Sequence, residues 1–164
     1  MSITDVPTVQ YSPLPYTQFH VVGTPAPQGS KRHVGKGIMV ESSKAVGPWR
    51  DSVATQTAEL MQRYSWPMHV GPIIVTITFW LHRPPSAPRR RIYPDRYPDL
   101  SKLTRATEDA LVTAGIIEDD ARIVELRVRK RYAVDGHWTG ANIRIDGALI
   151  GGQGPAASEQ AELL

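Results

Sequence analysis

The residues best suited to chemistry are two acidic groups that flank one segment with helical spacing. Asp99 stands at the start of the segment, and the run Glu-Asp-Asp at 118–120 follows it. Carboxylate oxygens are ligands that Mg²⁺ prefers, and bound Mg²⁺ activates water and stabilises the leaving oxygen in phosphodiester cleavage. The two groups can share an ion only if the chain turns back beside the segment, and Gly115 provides a residue for that turn.

The same residues also have a purely structural interpretation. Asp99 or Ser101 is a good N-cap for a helix, and Glu118, Asp119 and Asp120 can form a solvated turn. The spacing alone leaves both interpretations open.

Basic residues are concentrated in three clusters on a chain of formal net charge +3. Such clusters are typical of surfaces that bind nucleic-acid phosphates, although solvated surface patches have the same composition. The clusters are Lys31, Arg32 and Lys36; Arg89, Arg90 and Arg91; and Arg127, Arg129, Lys130 and Arg131.

Two of these clusters have a pattern suited to phosphate contacts. Glycines in the loop at 28–36 allow backbone N–H groups to turn toward a phosphate beside Lys31 and Arg32. Arg127, Arg129 and Arg131 recur at every second residue, so they would line one face of a strand. The alternative for the arginines is a charged edge strand that resists aggregation.

The elements that must position these residues follow from hydrophobic periodicity. A Pro- and Arg-rich loop at 83–98 precedes the segment that starts near Asp99. The order strand, helix, strand, helix, strand, strand predicts an α+β fold in which two helices pack on one small mixed sheet. The expected strands are 18–24, 72–81, 123–132 and 141–145, with a short edge at 38–40, a loop at 25–37, and helices at 44–64 and 99–114.

The chain length of 164 residues predicts one domain. We expect an extended arm at 1–17, the domain at 18–149 and a flexible tail at 150–164. Within the domain, Trp49 and Trp80 are expected in the core. On the strand at 123–132, Val124, Leu126 and Val128 are expected to share a face.

Several function classes are disfavoured by composition. The chain has no cysteine, which excludes thiolate zinc sites and cysteine nucleophiles. Its histidines lack metal-ligand spacing, and it has no Walker loop or Gly-x-Ser-x-Gly motif, so neither a nucleotide cofactor nor serine hydrolase chemistry is expected. The absence of a leader pattern and of a long apolar run favours a cytoplasmic protein with no membrane partner.

Residues 98–124, PDLSKLTRATEDALVTAGIIEDDARIV, resemble the signature of the RusA-type Holliday-junction resolvases. That signature reads approximately P-D-L-D-N-L-x-K-x-x-x-D-A-L, a short turn, and D-D-x-x-V. The resemblance extends to about 18–133. It includes the strand at 72–81 with the Pro-rich loop that follows it, and the basic loop at 25–32 after the first strand. The matching positions are Pro98, Asp99, Leu100, Leu103, Asp109, Ala110, Leu111, Asp119, Asp120 and Val124.

The resemblance implies a homodimer that binds four-way DNA junctions and cuts them by metal-dependent hydrolysis. Short resolvases of this family are typical of phages and prophages. Mg²⁺ is the expected metal, with Mn²⁺ as a substitute. Asp99 and Asp120 match the first and last catalytic aspartates, and Asp119 matches the acid beside the last one. Arg105 stands where the family commonly has a lysine and, one turn after Ser101, could contact the scissile phosphate.

Ser101 and Lys102 depart from the family pattern, because they replace its second aspartate and its asparagine. A serine hydroxyl binds Mg²⁺ more weakly than a carboxylate. Asp109 lies about 15 Å beyond Asp99 along a helix axis, too far to share its metal ion. Glu108 is excluded for the same reason. Glu118 and Asp119 remain as compensating acids because they neighbour Asp120, and Asp119 is favoured.

Alternatives remain for these residues and for the whole chain. Asp109 is expected to pair with Arg105 at i,i+4, and an arginine paired to Asp109 or Glu108 is the alternative to a phosphate contact by Arg105. The chain is accordingly predicted to be a junction endonuclease. The alternatives are a protein that binds branched DNA without efficient cleavage, and an interaction module without DNA affinity.

Overall fold

The computed structural model describes residues 16–148 except 30, 34, 35, 37, 38 and 42. The predicted tail and residues 1–15 of the predicted arm lie outside this part. The first strand begins at Tyr16, two residues earlier than expected.

The described elements alternate in the predicted order. A single 3₁₀ turn, Asp120–Arg122, precedes the fifth strand. The elements are β1 (Tyr16–Val22), β2 (Lys31–His33), β3 (Met39–Glu41), α1 (Val46–Tyr64), β4 (Ile73–Leu81), α2 (Leu100–Ala114), β5 (Ile123–Tyr132) and β6 (Gly140–Gly147).

Four of the strands form a mixed sheet in the order β1-β6-β4-β5. β4 and β5 are parallel, while β6 is antiparallel to both β1 and β4. Parallel neighbours need a crossover connection, and α2 provides it between β4 and β5. The predicted α+β fold is therefore confirmed.

The core lies between one face of this sheet and the two helices. Ile73, Val75 and Ile77 of β4 are fully buried, as strict alternation predicts. Leu103 of α2 and Val53 of α1 belong to the same buried cluster. Within it, the Trp49 indole N–H donates to the Thr107 hydroxyl at 3.1 Å, so one buried hydrogen bond joins the helices.

The opposite side of the sheet carries the half-buried side chains of Ile74, Thr76, Thr78 and Trp80. We call this side the open face, because both described helices pack on the other side. Trp80, expected in the core, lies on the open face instead, because its place in the alternation of β4 is opposite to that of Phe79.

Two further expectations were wrong in detail. The predicted loop at 25–37 contains β2, which pairs antiparallel with β3. Val124 does not share a face with Leu126, because the β4–β5 register shifts between Ile73 and Ile74 and leaves Val124 unpaired and 63% exposed. No helix in the described part of the chain is long and apolar enough to span a membrane.

Candidate active site

Asp99 occupies the N-cap of α2, with extended backbone angles and a carbonyl that accepts the Leu103 N–H at 3.0 Å. Its carboxylate makes no capping hydrogen bond, and the side chain is 61% exposed. The Lys102 ammonium lies 3.9 Å from Asp99 Oδ2. Because the Asp99 carboxylate does not cap the helix, it is available to bind another ligand.

Ser101, Arg105 and Glu108 follow Asp99 on one face of α2, because they are separated by four and three residues. Ser101 and Arg105 are exposed, whereas Glu108 is partly buried. The face therefore presents a hydroxyl, a guanidinium and a carboxylate in sequence along the helix.

Glu108 lies within electrostatic range of Asp120. Burial raises the pKa of Glu108, and the negative charges of Asp120 and Asp109 raise it further against the opposing effect of Arg105. Glu108 remains far from Asp99 along the helix, but the chain after Gly115 folds back beside α2 and brings Asp120 near Glu108. This neighbour is not evident from local spacing.

Asp109 does not form the predicted pair with Arg105. Its Oδ2 accepts a hydrogen bond from Arg50 Nη2 of α1 at 2.7 Å. The reason is tertiary: α1 packs against α2 and supplies a closer cation. Arg105 instead exerts its charge on Glu108.

The acidic run after α2 is divided between structural and exposed groups. Asp119 Oδ1 accepts the Ala121 N–H at 2.7 Å and caps the 3₁₀ turn. Glu118 pairs with Arg122 at 3.0 Å. Asp120 begins the turn with an exposed side chain. This leaves Asp120 as the member of the run with the carboxylate least committed to local structure.

The predicted metal-binding acids are not gathered at one point within a single chain. Asp120 acts on Glu108, which lies nine residues after Asp99, or about 13 Å along the helix axis. Among residues 16–148 as described, no group of three or more His, Asp or Glu side chains could hold a metal ion.

Two contacts from outside α2 fix the approach to Asp99. Lys130 Nζ donates to the carbonyl oxygens of Arg96 at 2.6 Å and Pro98 at 2.8 Å. The Gln28 N–H donates to the Lys102 carbonyl at 3.0 Å, which docks the loop after β1 on the first turn of α2.

The sequence model of the family described as endodeoxyribonuclease RusA matches residues 21–146. The chain belongs to the RusA endodeoxyribonuclease family. It is thus a nuclease of the Holliday-junction resolvase type, and its family implies a branched DNA substrate. RusA-family nucleases are generally metal-dependent. No curated protein sequence matches the chain.

In this RusA-family chain, the three β5 arginines lie on the open face. The register pairs Arg127 with Thr76, Arg129 with Thr78 and Arg131 with Trp80. Arg127 Nε donates a hydrogen bond to Glu125 Oε1 at 2.7 Å, and the Arg131 guanidinium lies 5.1 Å from the Tyr93 ring centroid. Because β5 is an edge strand, the arginines border the sheet.

The remaining predicted DNA contacts are four lysines and one arginine outside the row of β5 arginines. Lys31 and Arg32 lie in β2, and their side chains fall outside the description. Lys36 is exposed in the turn between β2 and β3. Lys102 is half-exposed beside Asp99, whereas Lys130 has two of its donors on backbone carbonyls.

His69 is a structural residue that its sequence context did not reveal. Its ring Nε2 lies 2.8 Å from the Thr17 hydroxyl, and its backbone pairs with Ile116 and Glu118. Burial lowers the pKa of His69, while Asp146 opposes that change. His69 therefore joins β1 to the segment that leads into Asp120.

Proposed function

We propose that this RusA-family nuclease cuts four-way junctions by Mg²⁺-dependent hydrolysis, with Mn²⁺ as a substitute, and that Asp99 and Asp120 are its principal carboxylates. The observation that carries the proposal is the exposed Asp99 carboxylate, which makes no capping bond at the helix end where the family motif begins. The Asp120 side chain is likewise exposed at the other end of that motif.

The donor types fit Mg²⁺, because carboxylate and hydroxyl oxygens are hard ligands. We assign Asp99, Asp120, Asp119 and Ser101 as the residues that would hold it. Repulsion between Glu108 and Asp120, part of the cause of the raised Glu108 pKa, is a further feature that a cation would relieve. When bound, the ion supplies an activated water and neutralises charge on the phosphate.

Arg105 is proposed to contact the scissile phosphate. It is exposed one turn after Ser101 and keeps a fixed positive charge. Asp109 binds Arg50, so it does not compete with a phosphate for the Arg105 guanidinium. Its guanidinium can then stabilise the charge that develops in cleavage, with Lys102 beside Asp99 as a second cation.

A homodimer is proposed because two-fold symmetry supplies the two like sites that paired cuts require. Exposed apolar side chains beside the end of β5 offer a surface for a second copy, including Ile92 (69%), Tyr93 (54%) and Tyr97 (77%). A second chain also offers a simple way for Asp99 and Asp120 to meet at one ion. Mixing Asp99→Asn with Asp120→Asn protein should then restore part of the cleavage, whereas sites within one chain predict no recovery.

DNA is proposed to contact the β5 arginines and the cations near the first turn of α2. Phosphate contacts fix position on the DNA rather than sequence preference. Lys130 is given a smaller share, because its ammonium already binds two carbonyls. The full set is Lys31, Arg32, Lys36, Lys102, Arg127, Arg129, Lys130 and Arg131.

A second candidate function is binding of branched DNA without efficient cleavage. Ser101 favours it, because the family's second aspartate is absent and the described part of one chain gathers no group of three acids. One experiment separates the two: a labelled four-way junction and a matched duplex are incubated with the protein in Mg²⁺, Mn²⁺ or EDTA. Metal-dependent paired nicks that disappear in Asp120→Asn, but persist in the exposed α1 control Glu59→Gln, support cleavage. Binding without nicks supports the second function.

A further inference from the structure

The open face is organised in rows that cross the sheet. One row runs Val22, Gly140, Trp80, Arg131, and the next runs His20, Asn142, Thr78, Arg129. A third runs Gln18, Arg144, Thr76, Arg127. Neighbouring strands lie about 4.8 Å apart, so each row places an arginine within one or two strand spacings of polar or aromatic side chains.

One end of the open face is aromatic. Trp138 precedes β6 by two residues, and its ring stacks on His20 with centroids 5.1 Å apart and planes inclined by 28°. Only glycine fits at 140, since its φ is 148° and a Cβ would overlap the Val21 carbonyl oxygen. Through its stack on His20, Trp138 covers the β1 side of the open face, in the row that contains Thr78.

Trp80 provides a second indole on the open face, in the neighbouring row and two strands from His20. The side chain is only partly buried, yet its Nε1–H is shielded and has no hydrogen-bond partner. Tryptophan N–H groups usually find a partner when buried. The Trp80 indole N–H is therefore a shielded donor on the open face that the described fold leaves unsatisfied.

The charged residues of the open face are predominantly cationic. Arg127, Arg129, Arg131 and Arg144 lie on it, against Glu125 and Asp146. Two of these guanidinium groups are held over rings: Arg144 lies 4.1 Å from the Tyr16 centroid, and Arg131 lies beside Tyr93. Stacking orients the Arg131 guanidinium in advance, so less side-chain freedom is lost when it meets a phosphate. The Arg144 guanidinium already binds the Asp146 carboxylate and contributes less.

We propose that the open face binds unpaired nucleotides at the branch point of the DNA, with Trp138 and Trp80 stacking on bases and the arginines contacting the phosphates. The inference rests on the proposed function and extends the DNA contacts of the β5 arginines across the open face to its aromatic side chains. Charge complementarity selects a nucleic acid. A flat sheet cannot enter the major groove, which admits a helix or a two-stranded ribbon, whereas aromatic rings on a sheet stack well on splayed bases.

The test compares two substitutions on the open face with matched substitutions on the helix side. Trp138→Leu removes a ring and Thr78→Glu adds a negative charge. Their controls are Tyr64→Leu, at a ring that is 57% exposed, and Gln62→Glu, at an exposed position of α1. Binding to a labelled oligo-dT, a four-way junction and a linear duplex is measured in EDTA by anisotropy, with tryptophan quenching as a second readout.

We expect Trp138→Leu and Thr78→Glu to weaken oligo-dT and junction binding at least about fivefold, the range of one lost base stack. Duplex binding should change by less than about twofold, the controls should bind normally, and Trp138→Leu should lose part of the quenching caused by oligo-dT. Circular dichroism and melting check the fold, and Thr78→Glu keeps all rings in place should Trp138→Leu unfold.

Three outcomes overturn the inference: unchanged oligo-dT binding, an equal loss on duplex, or conversion of a dimer to a monomer, which would make the open face a contact between copies. The proposed function fails separately, through absence of metal-dependent junction cleavage or its persistence in Asp120→Asn.

Discussion

Ser101 replaces a carboxylate with a hydroxyl in the first turn of α2. We predict that Ser101→Asp tightens Mg²⁺ binding and speeds junction cleavage, because it adds an anionic oxygen ligand one turn before Arg105. A carboxylate near a helix N-terminus is also stabilising, by about 0.3–1 kcal/mol, so the fold should tolerate it. Calorimetry of Mg²⁺ binding and single-turnover cleavage measure the effect. Thr55→Asp, at an exposed α1 position, is the control, and unchanged Mg²⁺ affinity in Ser101→Asp would contradict the prediction.

Burial and the negative charge of Asp120 both disfavour the ionised form of the Glu108 carboxylate. Its folded pKa is raised above the ordinary value of 4.5, so its contribution to stability is present below that pH and is lost as pH rises through the folded pKa. We predict that, in EDTA, Glu108→Gln melts at a higher temperature than the wild type at pH 7 and at a similar temperature at pH 4. Glu59→Gln should show no such pH-dependent gain. A lower melting temperature for Glu108→Gln at pH 7 would refute this.

His69 gives the opposite pH dependence. Because its folded pKa lies below 6.5, the folded state binds fewer protons, and stability falls as pH drops below 6.5 toward the folded value. Urea unfolding between pH 7 and pH 5 should show this loss in the wild type and a flatter profile in His69→Gln. The exposed residue His137 supplies the control substitution, His137→Gln, whose profile should follow the wild type.

At the scale of elements, two side-chain hydrogen bonds of unequal strength reinforce the apolar packing between α1 and α2. The Arg50–Asp109 pair has side chains 32% and 40% exposed, so solvent screens it and Asp109→Asn should cost less than about 1 kcal/mol. Trp49→Phe removes a buried hydrogen bond and leaves a void, at a cost of about 1–3 kcal/mol. Urea unfolding measures the loss of unfolding free energy in both variants. A larger loss in Asp109→Asn than in Trp49→Phe would contradict the prediction.

At the scale of the whole molecule, one side of the sheet carries the helices and the other carries the arginines. Binding of DNA should therefore weaken with salt, since phosphate contacts release counterions. We predict that Arg129→Gln lowers the slope of log affinity against log salt by about 0.7 on oligo-dT. Arg63→Gln, at an exposed position near the end of α1, should leave the slope unchanged. An Arg129→Gln slope equal to the wild type would place the DNA elsewhere.

The sequence alone determined the two helices, the four strands of the main sheet and their order, because alternation and helical spacing are local properties of the chain. It did not determine β2, which forms only by pairing with β3. Both helices, the strand at 123–132, the stop at Gly115 and the frame from Asp99 to Asp120 needed no long-range information. The face shared by Arg127, Arg129 and Arg131 followed from the two-residue period of a strand.

Only the tertiary structure decided which side chains meet across elements. Asp109 pairs with Arg50 rather than Arg105, and Glu108 lies near Asp120, because helix packing and the return of the chain bring distant residues together. The shift that exposes Val124 arises from pairing with β4. The rows that bring arginines and tryptophans onto the open face likewise depend on strand order and register. These are properties of neighbouring strands, whereas periodicity describes one strand at a time.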